Sequence, residues 1–200
     1  DVFFENLSSL GIHQVLRGSV KPDPGERRHI SHHLLTALEP PGIKTLTAPP
    51  SISIPSTDLS ESSETCLHKI EQASDPVIAL HPGSGGRDKC WPVSSFAELI
   101  TRVTENGWTP IVSSGPADTE VIERIQQKIG NIQPLMLENL PLHDLGYILS
   151  RCDGYIGNDT GVTHLAASVG VPTIALFGPT DPAVWGPRGR CVRILWGDHV

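Results

Sequence analysis

The chain has 200 residues, with 22 acidic and 15 basic side chains and a formal net charge of −7 at pH 7. An acidic chain of this kind lacks the basic stripe that neutralises phosphates, so nucleic acid is not expected as a partner. No apolar run approaches the roughly 18 residues of a membrane-spanning helix, and we expect no secretory signal. The length suits one hydrophobic core, or one domain with part of another.

The first part of the chain, up to about residue 75, is predicted to be mostly irregular. Two segments rich in proline, serine and acidic residues, SVKPDPGERRH and TAPPSISIPSTDLSESSE, indicate loops, and the second is a candidate domain boundary. Between them, HISHHLLTALEPPGI predicts one helix that ends at Pro40, Pro41 and Gly42. The chain starts at Asp1 and stops at Val200 just after the strand-like CVRIL, so we expect a piece of a longer protein.

From Val77 onward, short apolar stretches alternate with amphipathic ones. The predicted strands are PVIALH, WTPIVSSG, QPLMLE, DGYIG and VPTIALFG, with CVRIL as a candidate sixth. The predicted helices are SSFAELITRVTENG with a capping box at Ser95 and Glu98, DTEVIERIQQKIG, a helix from about Pro141 to Arg151, and VTHLAASVG. This alternation predicts an α/β fold: a Rossmann-like parallel sheet with helices on both faces.

Ligands of such sheets bind outside the carboxyl ends of the strands. The loops that follow the predicted strands are HPGSGGRDKCWP, SSGPADTE, LENLPLHD, GNDTGVTH and FGPTDPAVWGP. They hold most of the glycine and polar clusters in this half of the chain. We therefore expect the functional site at this edge of the sheet.

The loop HPGSGGRDKCWP has the composition of a phosphate or diphosphate cradle. Its glycines permit close approach of the backbone, Ser84 offers a hydroxyl, and Arg87 and Lys89 bring two cations. It matches neither the GxxxxGK[ST] pattern nor the GxGxxG fingerprint of dinucleotide-binding proteins. The alternative is a flexible glycine-rich surface loop.

The stretch GNDTGVTH lies where a predicted strand leads into the N-terminus of a helix. Helix N-termini have unpaired backbone N–H groups and a partial positive charge, so they attract anions. The alternative is an Asp or Thr that only caps the helix. In the same way, His164 either donates to a bound phosphate or serves as a cap or a packed ring.

Two further loop residues leave alternatives open. Asp118, with Glu120 nearby, either accepts hydrogen bonds from ribose hydroxyls or caps the helix that follows. The backbone around Leu140 either pairs with the edge of a base, with the side chain against the ring, or Leu140 is an ordinary core residue.

The histidines and cysteines elsewhere do not predict a metal site. His29, His32 and His33 have helical metal-ligand spacing, but a solvated helix face is the favoured interpretation. The four cysteines are far apart and form no CxxC pair, so reduced thiols are expected rather than a disulfide frame; they are Cys66, Cys90, Cys152 and Cys191.

The order HPGSGGRDKCWP, then GPADTE, then GNDTGVTHLAASVGVPTIALFGPTDPAVWGP resembles the C-terminal half of the glycosyltransferase family 9 heptosyltransferases. The resemblance runs from about Val77 to Val192. It implies a GT-B arrangement of two Rossmann-like domains. Residues 77–200 would then form the nucleotide-sugar donor-binding domain, residues 51–76 a linker, and residues 1–50 the incomplete end of the N-terminal acceptor domain.

The resemblance also implies roles for individual residues. Lys89 would face the diphosphate and stabilise the charge of the leaving group. The other implied donor-site residues are Ser84 and Gly85 in the first loop, Asp118 at the ribose, Leu140 with its backbone at adenine, and Asp159, Thr160, Gly161 and His164 in the phosphate-binding turn.

The resemblance implies transfer of heptose from ADP-heptose to the lipopolysaccharide inner core, with inversion and with no metal or other cofactor. The general base would be an aspartate of the N-terminal domain, outside this chain. The acceptor would be a lipid-linked saccharide, reached by a cytoplasmic enzyme in peripheral contact with the inner membrane. The alternatives are a non-catalytic nucleotide-binding module or truncated fragment, and a related epimerase. The epimerase is disfavoured because we find no matching carboxylate pair.

Overall fold

The computed structural model describes residues 6–7, 9–12, 15, 18–23, 25–45, 48–56 and 59–197. The chain divides into two compact units, Asp1–Ala48 and Pro49–Val200. In the first unit, α1 (Ile30–Leu35) is followed by a 3-10 turn at Thr36–Leu38. The helix predicted in this segment is therefore present, although short.

The second unit is built on a sheet of six parallel strands in the order β3-β2-β1-β4-β5-β6. The strands are β1 (Val77–His81), β2 (Thr109–Ser114), β3 (Leu135–Glu138), β4 (Gly154–Asn158), β5 (Thr173–Phe177) and β6 (Val192–Trp196). The chain order switches between β1 and β4, which are neighbours in the sheet. This is the Rossmann-like topology predicted from the alternation, and the α/β fold is confirmed.

The helices of this unit cover both faces of the sheet. They are α2 (Glu61–Glu71), α3 (Val93–Glu105), α4 (Thr119–Ile129), α5 (Leu142–Leu149), α6 (Gly161–Val169) and the short α7 (Pro182–Trp185). Phe96 and Ile100 of α3 pack with Ile125 of α4 in the core of one face. The other core contains Ile70 of α2, Ile148 of α5 and Ala166 of α6. Among the described residues, no helix is long and apolar enough to cross a bilayer.

Most of the predicted helix ends agree with the structure, but the capping box does not. Gly107 and Gly130 have φ angles of 78° and 63° and end α3 and α4 as expected. The start of α3, however, is Val93 after Pro92, and no side chain caps it. Ser95 therefore lies inside the first turn, and Glu98 instead pairs with Arg102. Pro92 stands at the N-cap and has no N–H, so a reciprocal capping box cannot form there.

The segment 51–76, predicted as a linker, contains the helix α2 and belongs to the sheet unit. Its Ile70 is buried in the core, and Ser60 caps the helix by accepting the Ser63 N–H. The serine-rich composition suggested a loop because serine competes with the backbone for hydrogen bonds. Here Ser60 caps the helix, and the hydroxyls of Ser60 and Ser63 both donate hydrogen bonds to Asp144.

The register between β1 and β4 positions the site. His81, the last residue of β1, lies opposite Gly157 of β4. The chain therefore leaves β4 as Asn158-Asp159-Thr160 directly beside the long loop 82–92 that follows β1. This is the edge at which parallel sheets bind ligands.

Candidate functional site

A cleft of about 440 Å³ lies at the carboxyl ends of the strands. Its wall is formed by the end of β1 and the start of loop 82–92, the end of β2 and the turn after it, the segment from Leu137 to Leu145, and the start of α6. Of the predicted site residues, the cleft is lined by Ser84, Gly85, Asp118, Leu140 and Thr160. Four strand-end loops that are distant in sequence therefore share one cavity.

Asp159 connects the loops beside this cleft. Its Oδ2 lies 2.8 Å from Lys89 Nζ and accepts a hydrogen bond of 2.7 Å from Thr180 Oγ1. Its backbone carbonyl accepts a hydrogen bond of 2.9 Å from Ser84 Oγ. The Asp159 side chain is 8% exposed and that of Lys89 is 33% exposed. The lysine is thus held by a buried carboxylate while part of it still faces solvent.

Backbone donors face the same region. The helix α6 begins at Gly161 after Thr160, and no side chain caps it. Within the described part of the chain, no group accepts a hydrogen bond from the N–H of Gly161, Val162, Ser84 or Gly85. Four unpaired N–H groups close to a lysine are the donors that an anionic ligand requires.

Asp118 lies at the inner end of the cleft, where it does not cap α4 through its side chain. Its Oδ2 accepts the Gly115 N–H at 2.7 Å and so closes the turn before the helix. The residue is 7% exposed, and a Cβ placed on Gly83 would overlap its carboxylate. Loop 82–92 can approach Asp118 this closely only because residue 83 is glycine.

His81 shares this inner end and was not among the predicted site residues. Its Nδ1 lies 3.0 Å from both the carbonyl and the hydroxyl oxygen of Ser113, and its Nε2 lies 4.0 Å from Asp118 Oδ2. Burial lowers the pKa of His81, although Asp118 and the Ser113 carbonyl act in the opposite direction. The neutral ring therefore donates from Nδ1 and presents Nε2 as an acceptor.

The opposite wall of the cleft is apolar. Leu140 is half-buried; it packs against the core and also lines the cleft, so the core alternative holds, while contact with a base stays a prediction. Leu142 stands beside it with 69% of its surface exposed. Between them and Asp118, the cleft changes from apolar to acceptor-rich.

The remaining predicted residues do not line the cleft. His164 is half-buried in the first turn of α6, and it is outside the described lining of the cleft. Arg87 pairs with Glu120 at 2.9 Å, and both side chains are largely exposed. No group of three His, Cys, Asp or Glu residues within the described ranges could hold a metal ion, and this includes the histidines of α1.

Asn158 was also missed, although it stands within the quoted stretch GNDTGVTH. It is fully buried and its carboxamide contacts Pro82, Gly83 and Trp91. Those partners lie 67 to 76 positions away in the chain. A local sequence pattern could indicate a polar residue at the end of the strand, but not the loop to which its side chain is hydrogen-bonded.

The sequence is similar to those of known proteins. The sequence matches glycosyltransferase family 9 (heptosyltransferase) over residues 31–200. It is 28% identical over 147 residues to lipopolysaccharide heptosyltransferase 2 of Escherichia coli K12, a match covering 70% of this chain and 42% of that protein. It is 34% identical over 124 residues to lipopolysaccharide heptosyltransferase 1 of Pseudomonas aeruginosa PAO1, covering 62% and 34% respectively. The chain thus spans less than half the length of these relatives.

The fold is shared with solved structures. The glycosyl transferase family 9 structure from Veillonella parvula superimposes with a TM-score of 0.73 at 24% identity, covering 86% of this chain and 50% of that one. The E. coli heptosyltransferase WaaC with ADP superimposes with a TM-score of 0.61 at 19% identity, covering 86% and 51%. Because the family match extends over most of the sequence, the chain belongs to glycosyltransferase family 9.

Proposed function

We propose that this chain is the donor-binding half of an inverting heptosyltransferase of lipopolysaccharide synthesis, with an ADP-heptose-type donor. The observation that carries the proposal is the position of Lys89, beside Asp159 and next to the unpaired N–H groups at the start of α6. A diphosphate placed there would meet one ammonium and several backbone donors. Residues 77–200 would be the donor domain, and residues 1–50 the end of the acceptor domain.

The rest of the cleft suits the nucleoside part of such a donor. The apolar wall at Leu140 and Leu142 offers a surface for a base, and the inner end at Asp118 and His81 offers acceptors for ribose hydroxyls. The choice of adenine is supported by one E. coli relative, the heptosyltransferase WaaC, whose two structures contain ADP and ADP-2-deoxy-2-fluoro heptose. Heptose as the sugar is supported by the curated heptosyltransferases.

The chemistry follows from charge. Displacement at the anomeric carbon builds negative charge on the departing diphosphate, and fixed donors that meet this charge lower the barrier. Lys89 has three N–H donors, of which Asp159 takes one. The others can donate to phosphate oxygens, while Asp159 keeps the ammonium in place. We propose that this set replaces a metal ion, so that no cofactor is required.

The acceptor step lies outside this chain. The acceptor hydroxyl needs a general base on the opposite side of the sugar from the leaving group. We propose that this base belongs to the N-terminal domain of the whole protein. The acceptor would be a lipid-linked saccharide, reached from the cytoplasmic side of the inner membrane by peripheral contact. The isolated chain would then bind the donor without transferring its sugar.

The direct test is calorimetric titration of the chain with ADP, AMP and UDP in the presence of EDTA. The proposal expects ADP to bind more tightly than AMP, because the terminal phosphate meets Lys89, and more tightly than UDP, because of the base. Equal affinities for ADP and AMP would contradict the diphosphate site. If ADP-heptose binds but a chain extended at its N-terminus gives no transfer to a lipid-linked saccharide, the alternative of a non-catalytic nucleotide-binding module is preferred.

A further inference from the structure

One buried side chain at the end of β4 is hydrogen-bonded to both ends of loop 82–92. Asn158, at the end of β4, is 0% exposed. Its Nδ2 donates to the Pro82 carbonyl at 2.8 Å and to the Gly83 carbonyl at 3.3 Å, and its Oδ1 accepts the Trp91 N–H at 3.0 Å. The start and the end of the loop are therefore joined through a single carboxamide.

The chemistry of the partners fixes the orientation of this carboxamide. Carbonyl oxygens can only accept hydrogen bonds and the Trp91 N–H can only donate, so Nδ2 must face Pro82 and Gly83 while Oδ1 faces Trp91. Neither an ionised aspartate nor a leucine offers both a donor and an acceptor. The contact is thus specific to an amide.

Asn158 is itself firmly placed. Its backbone carbonyl accepts a hydrogen bond of 2.5 Å from Thr163 Oγ1, which in turn lies 3.0 Å from the hydroxyl of Tyr155. Because Thr163 has a single hydroxyl proton, it donates to Asn158 and accepts from Tyr155. Thr163 and Tyr155 are both buried, so this chain of hydrogen bonds supports Asn158 beneath the cleft.

The contacts of Asn158 determine which way the loop presents its donors. In a trans peptide the N–H points opposite to the C=O. With the carbonyls of Pro82 and Gly83 directed at Asn158, the N–H groups of Gly83 and Ser84 point away from it. The next residue, Asp159, holds Ser84 and Lys89 from the same strand end. A loop between strand and helix usually has about 2–6 residues, so one as long as 82–92 needs such fixing.

We propose that Asn158 is a positioning residue of the diphosphate site. It sets the geometry of loop 82–92 so that the loop donors and Lys89 can act together on one ligand. The inference rests on the proposed function, since it assumes that a nucleoside diphosphate binds in this cleft. It adds a residue that touches the loop and acts on the ligand through it.

The test compares the wild-type chain with Asn158→Leu, which keeps the size but removes donor and acceptor. The control is Thr173→Val, which removes a buried hydroxyl at the other end of the neighbouring strand β5. Titration with ADP and with AMP yields the ratio of the ADP affinity to the AMP affinity. Asn158→Leu is expected to lower that ratio about tenfold, a loss of about one hydrogen bond to a charged group. Thr173→Val is expected to leave it unchanged.

Amide hydrogen exchange at Trp91 provides a readout without ligand. Loss of the Asn158 acceptor should speed exchange there by about tenfold or more, while amides in β1 keep their protection. If Asn158→Leu does not fold, Asn158→Ala carries the same comparison, because water can solvate the freed loop groups.

The outcomes separate the two ideas. A wild-type chain that does not prefer ADP over AMP would overturn the proposed function, and this inference with it. A wild-type preference that survives unchanged in Asn158→Leu would overturn the inference alone, whether or not Trp91 exchanges faster. A lower ratio in Asn158→Leu together with faster Trp91 exchange would support it. An equally lowered ratio in Thr173→Val would show a general loss of stability and contradict it.

Discussion

Two buried carboxylates, Asp144 and Asp159, each join segments that are far apart in sequence, but their partners differ. Asp144 Oδ2 accepts hydrogen bonds from the Ser60 N–H at 3.0 Å and from the hydroxyls of Ser60 and Ser63, both at 2.7 Å. These donors are neutral and belong to the start of α2, while the other carboxylate oxygen, Oδ1, lies 3.3 Å from Nδ1 of the neighbouring His143. Asp159 Oδ2 instead pairs with Lys89 and Thr180 at the edge of the cleft.

The difference separates a structural anchor from a candidate binding site. Around Asp144 the neutral donors satisfy the carboxylate inside the fold, so its contribution is to stability. Around Asp159 the charged partner is still partly exposed, and unpaired N–H groups stand nearby. A carboxylate that holds a cation without covering it leaves that cation available to a ligand. We therefore expect changes at Asp144 to act on folding and changes at Lys89 to act on ligand binding.

The largest expected effect is the loss of stability in Asp144→Ala. The change leaves the donors of Ser60 and Ser63 unpaired and detaches α2, so the free energy of unfolding should fall by about 3 kcal/mol. Urea denaturation measures this change. Asp75→Ala, an exposed aspartate before β1, is the control and should cost less than about 0.5 kcal/mol. A change in the ADP affinity of Asp144→Ala, measured where the variant is fully folded, would contradict the distinction between the anchor at Asp144 and the site at Lys89.

The next effect concerns ligand binding in Lys89→Met. Removal of the ammonium should weaken the binding of ADP by about 1.5–3 kcal/mol, the usual size of a hydrogen bond to a charged group. Calorimetry with ADP is the measurement, and Lys69→Met on the exposed part of α2 is the control. Because Asp159 would be left without its cation, the double variant Lys89→Met/Asp159→Asn is also needed. ADP affinity that is unchanged in both variants would show that the loop does not hold the diphosphate.

The sheet could be predicted from the sequence because its signals are local. Interior parallel strands are buried on both faces, so PVIALH and VPTIALFG appear as short apolar runs between helices. Position on the carboxyl edge then follows from topology alone, so the sequence predicts that Ser84, Asp118 and Thr160 lie at one edge of the sheet.

Contacts between distant segments could not be predicted in this way. The helix α2 lies in a serine-rich stretch, and its stability depends on Asp144, more than 80 positions later. Asn158 and His81 were missed for the same reason, because their roles depend on which loops come together above the strands. The Asp118 side chain does not cap α4, and its hydrogen bond to the Gly115 N–H, which closes a turn, could not be predicted; its contact with a ribose stays a prediction.

The two regions should also lose stability at different pH values. Burial alone would raise the pKa of Asp144, but hydrogen bonds from Ser60 and Ser63 outweigh it and hold the pKa well below its usual range. A carboxyl with a lowered pKa stabilises the fold above its unfolded pKa, near about 4, and this contribution is lost only as the pH falls further. The Asp144 region should therefore lose stability only in strong acid.

His81 is expected to act nearer to neutral pH. Its pKa is lowered by burial, so below about pH 6.5 the unfolded chain binds a proton that the folded chain does not. Stability should then fall with decreasing pH, by up to about 1.4 kcal/mol per pH unit. Urea denaturation between about pH 7 and pH 5 should show a smaller slope in His81→Asn, and the same slope in the exposed control His68→Asn. Equal slopes in wild type and His81→Asn would contradict the lowered pKa.

The smallest effect is expected at Arg87, the other cation of the same loop. Its side chain is 91% exposed and pairs with an exposed Glu120, and such surface pairs contribute little because water screens them. Arg87→Met should therefore change the free energy of unfolding by less than about 0.5 kcal/mol and ADP affinity by less than about twofold. Calorimetric titration of Arg87→Met and Lys89→Met with ADP compares two cations of one loop that differ mainly in their carboxylate partners. If Arg87→Met weakened ADP binding as much as Lys89→Met, the overall charge of the loop would matter more than the Asp159 contact. The contrast between a lysine held by a buried carboxylate and an arginine in an exposed pair would then fail.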